Sequence, residues 1–155
     1  MTEIERVRSF LAEKAPGLSI IEFATDTSTS FLAAQALGTE VGRIAKSMVF
    51  KTKNEDYVMV VSTGDVRIDS KAVKEMVGAK VRMANADEVW EVTGYRPGGV
   101  CPFALKTEVP IYLDESLKRY DVVYAAAGTA NTALPISFEQ LQLVTGGIAC
   151  KVSES

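Results

Sequence analysis

The sequence predicts a mixed α/β fold, with helices packed on a sheet that is not doubly wound and parallel. Three observations carry that expectation. Short runs of β-formers alternate with short amphipathic segments along the whole chain. Several neighbouring strand candidates are separated only by tight polar turns, which suit antiparallel neighbours, whereas parallel ones need a crossover of a dozen or more residues. Glycine or proline closes most of the helical segments.

Taken in order, Thr2 and Glu5 form a capping-box pattern ahead of the apolar stripe Ile4, Val7 and Leu11, and Pro16-Gly17 ends that helix. Leu18 to Phe23 reads as a strand and Asp26 to Ser30 as a loop. Thr29 or Ser30 then caps a helix over Phe31 to Leu37, closed by Gly38. Arg43 to Lys53 and Tyr57 to Ser62 read as two strands joined through the polar turn Lys53-Asn54-Glu55-Asp56. Asp69 or Ser70 opens a helix with Val73, Met76 and Val77 on one face, and Gly78 stops it. A short strand follows at Lys80 to Met83. Asn85 and Glu88 then cap a helix carrying Val89, Trp90 and Val92. In the last third, Val109 to Leu113, Asp121 to Ala127 and Thr132 to Ile136 are strands, with a helical turn at Asp114 to Tyr120. Ser137 and Gln140 cap the final helix, and Ile148 to Val152 closes the chain as a strand.

Composition excludes more than it proposes. The 155 residues are 47% hydrophobic and 24% charged, as expected of one globular domain over 1–155 with a real core. No apolar run is long enough to span a membrane, and the N-terminus lacks a signal-peptide pattern, so a cytoplasmic location is expected. Two cysteines, Cys101 and Cys150, do not make a disulfide framework. Histidine is absent, which removes Ser-His-Asp and Cys-His catalysis, and no cluster of metal ligands is visible. Neither a metal nor a cofactor is expected. The net charge is −3, but residues 41–82 carry +4 and the remainder −7. A basic middle on an acidic chain could meet phosphates, or it could be solvated faces of strands and helices.

Two features could carry chemistry. The segment Thr93-Gly94-Tyr95-Arg96-Pro97-Gly98-Gly99-Val100-Cys101-Pro102-Phe103 holds three glycines and two prolines in eleven residues. Such a loop is stiff and lets another group approach its peptide planes, as a site for a developing oxyanion requires. The same composition also suits an ordinary turn between a helix and a strand. Lys46 sits in an otherwise apolar strand, Ile44 to Phe50. It either points to solvent or holds a phosphate, a ribose hydroxyl or a carbonyl. Cys101 is a candidate nucleophile, although no histidine is present to activate it.

Three stretches together resemble the YbaK/prolyl-tRNA synthetase editing-domain family. They are Thr29-Ser30-Phe31-Leu32-Ala33-Ala34-Gln35-Ala36-Leu37-Gly38 with Ile44-Ala45-Lys46-Ser47-Met48-Val49-Phe50; the loop above, with Gly98 and Pro102 placed as the family's GxxxP; and Ala127-Gly128 through Thr145. The resemblance implies a mixed, largely antiparallel and curved sheet with packed helices. It also implies a free-standing enzyme that deacylates mischarged aminoacyl-tRNA in trans. In that reading Lys46 holds the 3′-terminal adenosine, and the backbone amides of Gly98, Gly99, Val100 and Cys101 bind the aminoacyl carbonyl. Further substrate contacts are expected from Thr29, Pro102, Gly128, Asn131 and Thr132, with Phe31 or Met48 at the pocket floor. That floor favours a small amino acid such as alanine, serine or threonine. Some family members carry an aspartate or histidine near the strand that here reads Thr132-Ala133-Leu134, so their preference does not transfer. Expected partners are the 3′ acceptor end of aminoacyl-tRNA and a synthetase or elongation factor. Two other readings stay open: a non-catalytic module of the same fold that binds tRNA or a synthetase, and an acyl hydrolase using the Cys101 thiol.

Overall fold

The computed structural model describes residues 1–154. Helix α1 (Glu3–Lys14) begins with the expected capping box: the Thr2 hydroxyl accepts from the Glu5 N–H, and the Glu5 carboxylate accepts from the Thr2 N–H. Thr29 caps α2 (Ser30–Leu37) and Asp69 caps α3 (Ser70–Val77). Capping boxes also open α4 (Ala86–Thr93), from Asn85 and Glu88, and α5 (Phe138–Thr145), from Ser137 and Gln140.

Eight strands form the sheet: β1 (Ile21–Glu22), β2 (Ile44–Thr52), β3 (Tyr57–Thr63), β4 (Val81–Met83), β5 (Ile111–Asp114), β6 (Val123–Ala125), β7 (Thr132–Ile136) and β8 (Ile148–Cys150). Their order is β1-β7-β6-β2-β3-β5-β8, with β4 also paired to β2. Pairs β1·β7, β6·β7, β2·β3 and β2·β4 are antiparallel, and β2·β6, β3·β5 and β5·β8 are parallel. The sheet is therefore mixed, as the tight turns and crossovers together demand.

Helices cover both faces. On one side Val7 and Leu11 of α1 and Phe138, Leu141 and Val144 of α5 pack with Ala45, Val49, Met59, Val61 and Leu113. On the other, Val73 of α3 packs with Phe50, Val58 and Val60, while Ala33 and Ala34 of α2 meet Ile44. Strand β3 lies between these layers and is buried from Val58 to Thr63, which explains its nearly unbroken apolar run.

Several strands are shorter than the sequence suggests. The segment 18–23 keeps only Ile21–Glu22 as strand, because its partner β7 offers only Ala133 and Thr132 opposite. Strand β5 starts at Ile111, after Pro110, which has no N–H to give the ladder. A one-turn 3-10 helix at Val41–Arg43 leads into β2, and no propensity signal marks it.

The C-terminal strand is tied down by a buried carboxylate. Asp114 is 0% exposed. Its oxygens accept from the N–H groups of Ser116 (3.0 Å), Val152 (2.8 Å) and Ser153 (3.1 Å). Burial alone would push its pKa up, but these hydrogen bonds outweigh burial and leave it below the ordinary aspartate value. A depressed carboxylate contributes stability above its unfolded pKa and loses that contribution as pH falls through the folded one. Asp114→Ala should thus lower the unfolding free energy by about 2–3 kcal/mol at pH 7, since two buried donors and one part-buried donor lose their acceptor. In urea titrations the gap between wild type and variant should close as the pH drops below about 4.

Candidate functional site

A cavity of about 430 Å³ opens between β2, the 27–30 segment, α4 and the glycine-proline loop. Lys46, Gly98 and Val100 all line it, together with Thr29, Met48 and Thr132. Of the other residues singled out from sequence, Phe31 is 61% exposed and outside the lining. Gly99, Cys101, Gly128 and Asn131 are likewise outside the lining, and Pro102 borders a different hollow with Phe10 and Lys14.

The loop is stiff for identifiable reasons. The Gly99 N–H donates to the Arg96 carbonyl (2.9 Å), with Pro97 and Gly98 at the two central positions and Gly98 at φ 92°. That is the pattern of a type II turn, which wants proline first and glycine second. A Cβ on Gly99 would sit 2.7 Å from the Gly128 carbonyl oxygen, so only glycine lets these two backbones touch. The Gly128 N–H donates to the Gly99 carbonyl (3.1 Å) across that contact. Behind the turn, Tyr95, Cys101 and Phe103 are fully buried, and the Tyr95 hydroxyl donates to the Phe103 carbonyl. The Arg6 guanidinium lies 4.6 Å from the Tyr95 ring centre and donates to the Thr93 carbonyl (3.0 Å).

This arrangement sorts the loop amides. The Gly99 N–H already has its acceptor inside the turn. Gly98 and Val100 line the cavity, and their N–H groups have no hydrogen-bond partner among the described residues. The Cys101 sulfur faces the core instead, 3.8 Å from the Phe103 carbonyl oxygen. Burial pushes its pKa up to about 12, so almost none of it is thiolate near neutrality.

Charge in the cavity is equally lopsided. Among the described residues Lys46 is the sole formally charged side chain in the lining, and no carboxylate joins it there. Its ammonium makes no ion pair among the described residues. The expected polar neighbours are committed elsewhere. The Thr132 hydroxyl accepts from the Ala127 N–H (2.9 Å) and donates to the Thr129 carbonyl (3.0 Å). Asn131 donates from its amide to the Phe23 carbonyl (3.0 Å).

No local signal in the sequence marks a break in the sheet at this point. Residues of an antiparallel strand direct their N–H and C=O alternately toward the partner and away from it. Gly64 donates to the Ile44 carbonyl (2.7 Å) and Thr52 to the Asp56 carbonyl (2.8 Å), so the even-numbered residues of β2 face β3. Its odd-numbered residues face the opposite edge. There Ala45 lies against Ala125 of β6, and Lys51 against Arg82 of β4. The Ala84 N–H reaches the Val49 carbonyl (2.9 Å). Between these two partners the Ser47 N–H and C=O have no strand opposite, while the Val49 N–H, across from Ala84, has no acceptor among the described residues; both residues line the cavity. No local pattern could have shown this, because it depends on where β6 and β4 end.

Comparison with known proteins shows relatives in sequence and in fold. The chain is 36% identical over 138 residues to the uncharacterised protein YwhH of Bacillus subtilis, covering 89% of this chain and 88% of that one. It is 30% identical over 115 residues to EbsC of Enterococcus faecalis, named as a candidate Cys-tRNA(Pro)/Cys-tRNA(Cys) deacylase, covering 74% and 70%. A crystal structure of a candidate trans-editing enzyme for prolyl-tRNA synthetase superposes with a TM-score of 0.92 at 35% identity, covering 100% of this chain and 99% of that one. The profile of the aminoacyl-tRNA editing domain matches residues 24–143, and the chain belongs to that family.

Proposed function

We propose that this protein deacylates mischarged aminoacyl-tRNA in trans, cutting the ester between a small amino acid and the terminal ribose. The observation that carries the reading is the shared cavity: Lys46 of β2 lines the same space as Gly98 and Val100 of the rigid turn, whose amides have no hydrogen-bond partner among the described residues. Family membership and the two similar proteins named for editing or deacylation support it.

The chemistry follows from what the cavity offers. An aminoacyl ester is already activated, so orientation and oxyanion stabilisation suffice without a strong base. The carbonyl oxygen accepts from the Gly98 and Val100 amides as negative charge builds on it. Lys46 neutralises the 3′-terminal nucleotide. A water oxygen bonds to the carbonyl carbon, the ester C–O bond breaks, and the ribose oxygen leaves with the proton the water gives up. No histidine exists to take that proton, no carboxylate lines the cavity, and the Cys101 thiol faces the core. The substrate's own vicinal ribose hydroxyl therefore positions the water and relays its proton, taking one from the water as it passes its own to the leaving ribose oxygen. Met48 in the wall limits the amino-acid side chain. A synthetase or elongation factor would add tRNA affinity that a middle segment of only +4 does not provide.

Lys46→Ala should lower kcat/KM for a mischarged tRNA by about 100-fold, the scale of losing one such electrostatic contact, while the urea midpoint stays unchanged. Binding of tRNA with no hydrolysis above buffer, on a panel covering the small amino acids, would instead identify a non-catalytic module. Across that panel, substrates differing by one methylene should differ by only about 10–200-fold. A tRNA ending in deoxyadenosine that is deacylated at the normal rate would remove the ribose-hydroxyl step. Cys101→Ala should retain activity within a few-fold, and iodoacetamide at pH 8 should leave activity intact; loss in either assay would favour the thiol hydrolase.

A further inference from the structure

We infer that the open edge of β2 at Ser47 and Val49 reads the terminal adenine of the RNA, through the peptide backbone alone. The inference rests on the reading above, that the cavity receives the 3′ end of an aminoacyl-tRNA, and adds which atoms recognise its base. In strand order the edge presents a donor, an acceptor and a donor: the Ser47 N–H, the Ser47 C=O and the Val49 N–H. Strand edges of this kind are templates for whatever can match their hydrogen bonds, and unpaired peptide groups in a half-closed space cost free energy until they are matched.

Adenine is the base that fits this order. Its exocyclic N6 amino group donates, and it is flanked on either side by ring nitrogens, N7 and N1, that accept. The amino group meets the Ser47 carbonyl, and a ring nitrogen accepts from a flanking N–H. Guanine places the acceptor O6 where adenine has its amino group, so it would point a carbonyl at the Ser47 carbonyl. A single-stranded 3′ end has its base edges free for such contacts. The rival ligand for the Ser47 carbonyl is the α-ammonium of the amino acid. It would leave both flanking N–H groups unmatched and would enter a cavity whose one charged side chain is the Lys46 ammonium, with no carboxylate to receive it.

The test uses ¹⁵N-labelled protein titrated with the trinucleotide CCA and with two analogues. One ends in purine, which lacks the amino group; the other ends in hypoxanthine, which replaces it with an acceptor. With CCA the Ser47 and Val49 amide resonances should shift, and affinity for both analogues should fall about 10- to 100-fold, the range for one bidentate base contact. Ser47→Ala keeps both peptide groups and should keep the discrimination. Equal affinity for the three oligonucleotides, no binding of CCA, unmoved Ser47 and Val49 amides, or lost discrimination in Ser47→Ala would each overturn the inference. The deacylation assay reports separately: absent hydrolysis with intact adenine discrimination would remove the proposed activity and leave the edge contact standing.

Discussion

The site exists because β2 cannot be paired along the whole of both its edges. Its inner edge is satisfied by β3 from Ala45 to Lys51. On the outer edge β6 arrives in parallel and stops at Ala45, while β4 arrives antiparallel from the other end and reaches only to Phe50. A parallel and an antiparallel strand approaching along one edge cannot fuse into a continuous neighbour, so an opening remains where they fail to meet. Everything else at the site is arranged around that opening, and the strand that supplies Lys46 is held on both sides of it.

The lips of the opening are fixed by different forces. Near β6, the 27–30 segment is pinned by the Thr27 N–H to the Ala130 carbonyl (2.7 Å), and Asp26 holds Ser28. Near β4, Glu88 closes the cap of α4, receives both ends of the Arg82 guanidinium (2.8 and 2.9 Å) and meets the Lys51 ammonium at 3.1 Å. Arg82 above all, with the Asn85 N–H, holds that carboxyl well below the usual glutamate range. Only the Arg82 side chain is largely exposed, at 56%, while Lys51 and Glu88 keep 18% and 14%, and the cluster fixes β4 against α4. The turn at 96–99 completes the enclosure, held from behind by apolar burial of Tyr95, Cys101 and Phe103. Preorganised amides need such backing, because a donor that must move into place loses much of its worth.

A chain without histidine is suited to a substrate that brings its own reactivity. Among the described residues the cavity supplies one positive charge, two loop amides without partners and an unpaired stretch of strand edge, and neither a histidine nor a carboxylate lines it. The sulfur that looks like a nucleophile in the sequence is instead a core atom, and its burial helps to keep the turn rigid. The same residue thus changes from a candidate reagent to part of the support once its neighbours are known.

What the sequence determined alone is the local grammar. Thr2, Thr29, Asp69, Asn85 and Ser137 each begin a helix where their side chains can accept a backbone N–H. The β2–β3 hairpin and the stiffness of Pro97-Gly98-Gly99 were legible for the same reason: turn and cap preferences act over three or four residues. Lys46 and the loop could be named from their residues and the family they resemble, but not shown to share a space. Tertiary structure decided that Gly98 and Val100 face the cavity while Gly99 closes the turn, that Phe31 stays outside, and that Thr132 and Asn131 serve the 127–132 turn and its neighbours. It also decided the free edge at Ser47. These outcomes depend on how far strands distant in the chain extend beside one another, and no residue's own preference encodes the length of its neighbour.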